Sequence, residues 1–378
     1  MYIVHVIRQF HPSIGGMEDV AFHLAQYLMR SGHQVQIVTL NRLFTRPNQI
    51  LPSFDRYHDL PIIRLPFWGS YRYPITFKVM ALIDKADIVH VHGIDFFYDF
   101  LALSQILHRK KMIVSTHGGF FHSQFAFFLK KYWFQIITRL SSTAYQQIVA
   151  TSENDYNIFL QVVSKKKITV IENGVDVLKF NHSEKRTIGR NIIYFGRWSV
   201  NKGLVKMLDL VRQLVNVDYR WTLIISGREY DYTCANLMNE IETRKLSKNI
   251  FLIPSPSTIE LKRLISQSHF YLSLSDHEGF GISVIESMSA GLIPILSNIP
   301  TYKQFVARSG VGLIVNENNY NEIIKTLELF VMMPSNRYRL ICDQARRFAL
   351  SYDWEFAIKK YMKIYKNIIS LNSRNSFI

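Results

Sequence analysis

Residues 1–40 read MYIVHVIRQFHPSIGGMEDVAFHLAQYLMRSGHQVQIVTL. Tyr2–Ile7 reads as a strand rich in β-branched residues, and Val35–Leu40 reads as the next one. Between them Val20, Ala21, Leu24 and Leu28 share one helical face, and Gly32 is well placed to end that helix. A strand, a helix and a strand in this order pair in parallel, with the helix laid across the sheet. The same alternation recurs down the chain. Ile88–His92, Met112–Thr116, Ile148–Thr151 and Ile168–Ile171 complete a first set of expected strands.

A second set follows the polar stretch His182–Arg190. Its expected strands are Asn191–Phe195, Trp221–Ser226, Ile250–Ile253, Phe270–Leu274, Ile293–Ser297 and Gly312–Val315. Ser257-Thr258-Ile259-Glu260 has the form of a capping box before a helix over Leu261–Ser268. Each set opens with a strand, a glycine-containing loop and a helix. The expectation is an α/β protein of two Rossmann-like doubly wound domains. The first spans residues 1–181 and the second 182–353. A basic helix in 354–378 packs back across the first. Ligands of such sheets sit beyond the carboxyl ends of the strands, which makes the cleft between facing domains the default site.

Composition is that of a globular chain. Of 378 residues 48% are hydrophobic and 20% charged, enough apolar material for two cores. The two cysteines, Cys234 and Cys342, are too few for a disulfide framework and favour a reducing compartment. The N-terminus lacks the basic leader and apolar core of a signal peptide. No run of about 18 apolar residues marks a membrane span. The expected location is the cytoplasm. A net charge of +16 admits nucleic acid, anionic membrane and phosphorylated ligands. It is shared between both halves, and no zinc-finger spacing or RNA-binding aromatic motif occurs, which disfavours nucleic acid.

The segment with the most chemistry is Ser275-Asp276-His277-Glu278-Gly279-Phe280-Gly281-Ile282-Ser283-Val284-Ile285-Glu286. It joins an expected strand to a helix ending near Gly291. Its glycines admit close backbone approach, and the N–H groups of Phe280, Gly281 and Ile282 face an anion at the helix N-terminus. Glu278 precedes that terminus and Glu286 lies about one turn inside it. Ionised carboxylates in these places can accept hydrogen bonds from vicinal hydroxyls. Taken singly, each glutamate reads as a solvated surface charge; bracketing a glycine-rich turn, they read as a site for a phosphorylated sugar.

Phe195-Gly196-Arg197-Trp198-Ser199-Val200-Asn201-Lys202-Gly203 also runs from a strand end toward a helix. Arg197 and Lys202 supply two cations suited to a diphosphate, or are two solvated charges. Gly15 and Gly16 form a further anion contact or a simple turn; the loop is not the dinucleotide fingerprint. His117, followed by Gly118-Gly119, stands at a strand end as a substrate contact or a structural histidine. Asp276 and Glu278 resemble an acidic pair for a divalent ion, and His90 and His92 share a strand face. No third ligand is positioned by spacing, so no metal is expected.

Together, Glu278–Glu286, Gly196–Gly203, Gly15-Gly16 and Glu172-Asn173-Gly174-Val175-Asp176 resemble the retaining glycosyltransferases of family 4, which have the GT-B fold. The resemblance runs in order over most of the chain. Val6–Glu18 looks most like the bacterial exopolysaccharide mannosyltransferases that move mannose from GDP-mannose to a cellobiosyl diphosphate polyprenol. The resemblance implies that Arg197 and Lys202 bind the donor diphosphate, Glu278 the sugar hydroxyls and Glu286 the ribose. It implies that Gly16 meets a donor phosphate and His117 the transferred sugar. It also implies retention of configuration and no cofactor or metal. Asn201 departs from the family, which often has an acidic residue before this lysine.

Alternatives are a UDP-sugar-dependent member of the family in lipopolysaccharide or capsule synthesis, and an epimerase or phosphorylase of the same architecture. The partners expected are a nucleotide-sugar donor, a lipid-linked saccharide acceptor and an anionic membrane surface. The stretch 120–139 contains no acidic residue and many aromatic ones. Lys130, Lys131, Trp133 and Phe134 are its expected membrane or acceptor contacts, at the inner face of the cell membrane. The bland alternative puts the aromatics in the core.

Overall fold

The computed structural model describes residues 1–13, 15–71, 73–117, 132–180, 187–316 and 319–375, with side chains to residue 370. It divides into two compact units. One is Met1–Gly174 together with Trp354–Ile378, and the other is Val175–Asp353. The expected boundary at 181/182 thus falls earlier in the chain. Val175, Val177 and Phe180 are buried in the core of the second unit, and Val175 forms a β-bridge with Asp353.

The strands of the first unit are β1 (Tyr2–Ile7), β2 (Gln34–Leu40), β3 (Arg42–Leu43), β4 (Arg46–Ile50), β5 (Phe54–Tyr57) and β6 (Leu60–Leu65), then β7 (Trp68–Ser70), β8 (Tyr73–Ile75), β9 (Ile88–His92), β10 (Lys111–Ser115), β11 (Gln147–Ala150) and β12 (Ile168–Val170). Eight of them make one sheet in the order β12-β11-β10-β9-β1-β2-β6-β5. All its pairings are parallel except β5 with β6. The region of β3 to β8 went unread in the sequence because its elements are short and partly exposed. β4, for example, is exposed throughout and contains Pro47.

Alternation along β1 divides the core. Val4 and Val6 face a cluster with Phe97, Leu101 and Tyr145; Ile3 and Ile7 face Ala21, Leu24 and Leu28 of the helix Gly16–Arg30. The C-terminal helix Trp354–Asn375 closes this second face with Ile358, Tyr361 and Tyr365. No helix among the described residues is long and apolar enough to cross a membrane.

In the second unit, β13 (Asn191–Phe195), β14 (Thr222–Gly227), β15 (Ile250–Pro254), β16 (Phe270–Ser273), β17 (Ile293–Ser297) and β18 (Leu313–Val315) form an all-parallel sheet ordered β15-β14-β13-β16-β17-β18. The chain winds outward from β13 through β14 to β15, then returns to lay β16 on the other side of β13. This reversal opens a crevice beyond the carboxyl ends of β13 and β16. The loop after β13 contains Arg197 and Lys202, and the loop after β16 contains Glu278. The first unit has the corresponding reversal between β1 and β9. The helix Thr258–Gln267 starts earlier than expected, where the Ser257 hydroxyl accepts the Glu260 N–H at 3.1 Å.

Gly203 shows how closely the two loops meet. Its φ is +67°, and a Cβ built on it would lie 2.0 Å from the Leu274 carbonyl oxygen. Left-handed backbone costs a non-glycine residue roughly 1–2 kcal/mol, and this overlap adds to it. Gly203→Ala is therefore expected to destabilise the protein by more than about 2 kcal/mol. Thermal melting checks this; an unchanged midpoint contradicts so tight an approach.

Candidate functional site

At the reversal of the second sheet the loops after β13 and β16 are tied by charge. Lys202 ends a short 3₁₀ turn, Val200–Lys202, and its Nζ pairs with Glu278 Oε1. Both side chains are largely buried. The same oxygen accepts the Ser275 hydroxyl at 3.2 Å and the Tyr302 hydroxyl at 3.3 Å. The Thr301 hydroxyl donates to the Glu278 carbonyl at 3.0 Å, and Ser297 donates to the Ser275 carbonyl at 2.6 Å. The carboxylate is therefore placed by three elements, β16, β17 and the helix Pro300–Ser309. Burial raises the pKa values of Tyr302 and Tyr194, and the Glu278 charge adds to both, so these phenols stay protonated as donors.

Arg197 leaves the same strand end but stands exposed, its guanidinium 5.5 Å from the centre of the Tyr230 ring. Its carbonyl accepts the Tyr194 hydroxyl at 2.8 Å, fixing the loop while the cation remains in solvent. Asn201, the departure from the family pattern, accepts the Ser199 hydroxyl at 2.7 Å.

The helix Ile282–Ser289 begins at Gly281, whose φ of +87° suits glycine. Its first internal hydrogen bonds run from the N–H groups of Val284 and Ile285 to the Gly281 carbonyl, at 3.0 and 3.4 Å. Ile282 N–H precedes them, as an anion-binding helix start requires. Phe280 can offer only its backbone there, because its ring is buried edge-on against Phe305 and Tyr352. Glu286 lies one turn inside. It pairs with Lys179 at 3.0 Å, a partner that sequence reading missed because 107 residues separate the two. Asp276 pairs with Lys206 at 2.6 Å, so each carboxylate of the expected acidic pair meets a lysine.

Burial raises the Glu286 pKa above the usual glutamate value, and Lys179 opposes the shift. The folded state thus holds this proton more tightly than the unfolded chain. Its contribution to stability is fully present below the ordinary glutamate pKa and is lost as pH rises through the folded value.

In the first unit, Gly15 caps the helix Gly16–Arg30 in extended conformation, with the Glu18 carboxylate folded over it and accepting the Ser13 hydroxyl at 2.9 Å. His117 follows β10 in left-handed conformation, φ +51°. Gly118 and Gly119 lie outside the described residues. His90 and His92 share a face as expected, and the structure adds His5, a third imidazole that spacing did not reveal. All three lie within 4.8 Å of one another by ring nitrogens. His5 reaches them because β1 pairs in parallel with β9, setting His5 opposite His90. Hydrogen bonds engage these rings. His90 bonds the hydroxyls of Tyr365 at 2.7 Å and Ser115 at 2.8 Å, and His92 bonds His5 and His117.

The expected membrane contacts divide. Lys130 and Lys131 lie outside the described residues, as does 120–129. Phe134 is a correction: it is 1% exposed, in the core against Phe159. Trp133 is partly exposed, its indole N–H donating to Asp99 at 3.2 Å.

Two parallel-sheet units with a lysine–glutamate pair at a sheet reversal are the frame of a GT-B glycosyltransferase. Residues 14–178 match the family model described as Glycosyltransferase Family 4, and residues 178–347 match that of Glycosyl transferases group 1. The chain belongs to the family 4 glycosyltransferases and is an enzyme of that class.

More particularly, it is 45% identical to the GDP-mannose:cellobiosyl-diphosphopolyprenol alpha-mannosyltransferase of Xanthomonas oryzae pv. oryzae, over 98% of each chain. It is 37% identical to the protein of the same name from Komagataeibacter xylinus, over 97% of this chain and 93% of that one. Among solved structures, a glycosyltransferase from Rickettsia africae aligns with a TM-score of 0.72 at 18% identity, over 97% of this chain and 98% of that one. Anabaena HepE in complex with UDP aligns at 0.75 and 15%, over 97% and 100%. At such identities these two speak for the fold alone.

Lys179→Met leaves the Glu286 carboxylate buried without its cation. The variant is expected to lose roughly 1–3 kcal/mol at pH 8 and less at pH 5, because protonation of the buried carboxyl removes the unpaired charge. Melting temperatures of both proteins at the two pH values check the sign; a loss independent of pH contradicts it.

Proposed function

We propose that this enzyme transfers mannose from GDP-mannose to a cellobiosyl diphosphate polyprenol, with retention of configuration, in exopolysaccharide assembly. The observation that carries the reading is the Xanthomonas relative, matched end to end at 45% identity, whose name states that donor and acceptor. The site is suited to the chemistry. Departure of a nucleoside diphosphate develops negative charge, which fixed cations and a helix N-terminus stabilise most in the transition state. In this reading Arg197 and Lys202 hold the diphosphate, and backbone N–H groups at Gly281 and Ile282 share it. A lysine ammonium has three donors, so Lys202 can keep Glu278 while taking a phosphate oxygen. Glu278 receives the sugar hydroxyls, Glu286 the ribose, Gly16 a donor phosphate and His117 the transferred sugar. No metal is needed where these cations do its electrostatic work.

GDP and GDP-mannose are expected to raise the melting temperature, with UDP and ADP giving little change. Lys202→Ala is expected to lower turnover by about 100-fold or more while remaining folded. A response to UDP in place of GDP overturns the donor; near wild-type turnover in the variant overturns the diphosphate assignment.

A polyprenol acceptor places the reaction at a membrane surface, and the reading extends to contact with anionic lipid at the inner face of the membrane. Ile106 and Leu107 are each 79% exposed, close before the exposed Arg109. Tyr132, Ile136 and Leu140 are exposed beside Arg139. Apolar side chains next to cations suit the headgroup region. The protein is expected to float with anionic liposomes at low salt, and the double variant Ile106→Asp, Leu107→Asp to float less. No flotation of the wild-type protein removes this part of the proposal.

A further inference from the structure

His5, His92 and His117 form a hydrogen-bonded row across three adjacent strands, β1, β9 and the end of β10. His5 Nδ1 lies 2.9 Å from His92 Nε2, and His92 Nδ1 lies 3.1 Å from His117 Nε2. The planes of neighbouring rings are inclined by only 26° and 24°. The first two imidazoles are fully buried beneath the C-terminal helix, while His117 is partly exposed.

Burial pushes the pKa of His5 and of His117 down to about 3, and that of His92 well below its usual value, so the row is neutral at physiological pH. A neutral imidazole has one N–H and one lone pair. Three in a row must therefore all point the same way, and the choice at one end fixes the other.

The buried end decides the direction. His5 Nε2 has no hydrogen-bond partner among the described residues. A buried N–H without an acceptor is rarer than a buried acceptor without a donor. The lone pair therefore belongs at His5 Nε2, and the protons sit on Nδ1 throughout. His5 donates to His92 and His92 donates to His117. His117 is left with an Nδ1–H, the ring nitrogen that His92 does not engage.

We propose that His5 and His92 are positioning residues that hold His117 as a fixed Nδ1–H hydrogen-bond donor to the substrate, and not as a proton acceptor. This rests on the assignment of His117 to the transferred sugar. A donor in that place suits a hydroxyl or phosphate oxygen of the substrate. It also leaves the proton of the acceptor hydroxyl to another group, because the only lone pair of the neutral His117 ring, on Nε2, already accepts the His92 N–H. His90 stands outside the row. It stacks on His92 with centroids 4.2 Å apart, and its two nitrogens go to Ser115 and Tyr365, anchoring the C-terminal helix that covers the row.

Nitrogen-15 NMR of histidine-labelled full-length protein at pH 7, assigned with single variants, reads the tautomers without any assay. The expected result is the Nδ1–H form for His5, His92 and His117. An Nε2–H form at His92, or averaged tautomers at His117, overturns the proposal. Kinetics supply the second reading. His92→Phe breaks the row and is expected to lower kcat by about 10- to 100-fold per folded enzyme, on the scale of lost orienting partners, with KM little changed. In His92→Gln the amide can accept from His5 and donate to His117, and most of kcat is expected to return. Equal kcat in wild type and His92→Phe, or no recovery in a folded His92→Gln, overturns the positioning role. His117→Ala separates this from the assignment beneath it: wild-type turnover there, with the tautomers as stated, refutes the role of His117 in transfer and leaves the hydrogen-bonded row standing.

Discussion

The parallel pairing of β13 with β16 is the constraint on which the candidate site depends. Only two register pairs join these strands, Ile192 with Phe270 and Ile193 with Tyr271. They set two loops, 76 residues apart in sequence, side by side beyond the strand ends. Neutralisation of Glu278 by Lys202 then becomes possible. A largely buried carboxylate without a cation is costly, so each loop makes the other's charge tolerable. Gly203 permits the approach, and the hydroxyls of Ser275 and Tyr302 complete the carboxylate's hydrogen bonds.

The first unit solves a similar problem with neutral groups. Four histidines sit on or beside the central strands, where the burial of His5, His90 and His92 leaves no water to solvate a charge. Each is kept uncharged and occupied by a neighbour: imidazole on imidazole in one row, and hydroxyls of Ser115, Tyr361 and Tyr365 around His90. Such networks are worth most when every member is satisfied. At the buried end of the row His5 Nε2 has no partner among the described residues, and that atom sets a direction for the row.

Much of the fold was legible because strand period and helix period differ. β1, β9, β13 and β17 match their expected bounds, and the other expected strands shift by a residue at one end or at both, where a strand frays into its loop. The hairpins between residues 42 and 75 were not legible. Their strands are two to six residues long, and the outer ones bury little. Of the expected site residues, Glu278 and Lys202 come together, Phe280 and Phe134 turn inward, and Arg197 stays in solvent.

The sequence by itself determined the class of chain, two parallel α/β units, and the local chemistry of each glycine-rich strand-to-helix turn. These follow from residue type and short spacing, which act within one element. The tertiary structure alone decided the partners: Lys179 for Glu286, Lys206 for Asp276, Tyr302 for Glu278 and His5 for His92. Each pair joins residues far apart in the chain, and the strand order that brings them together is a property of the whole sheet, which no local pattern encodes.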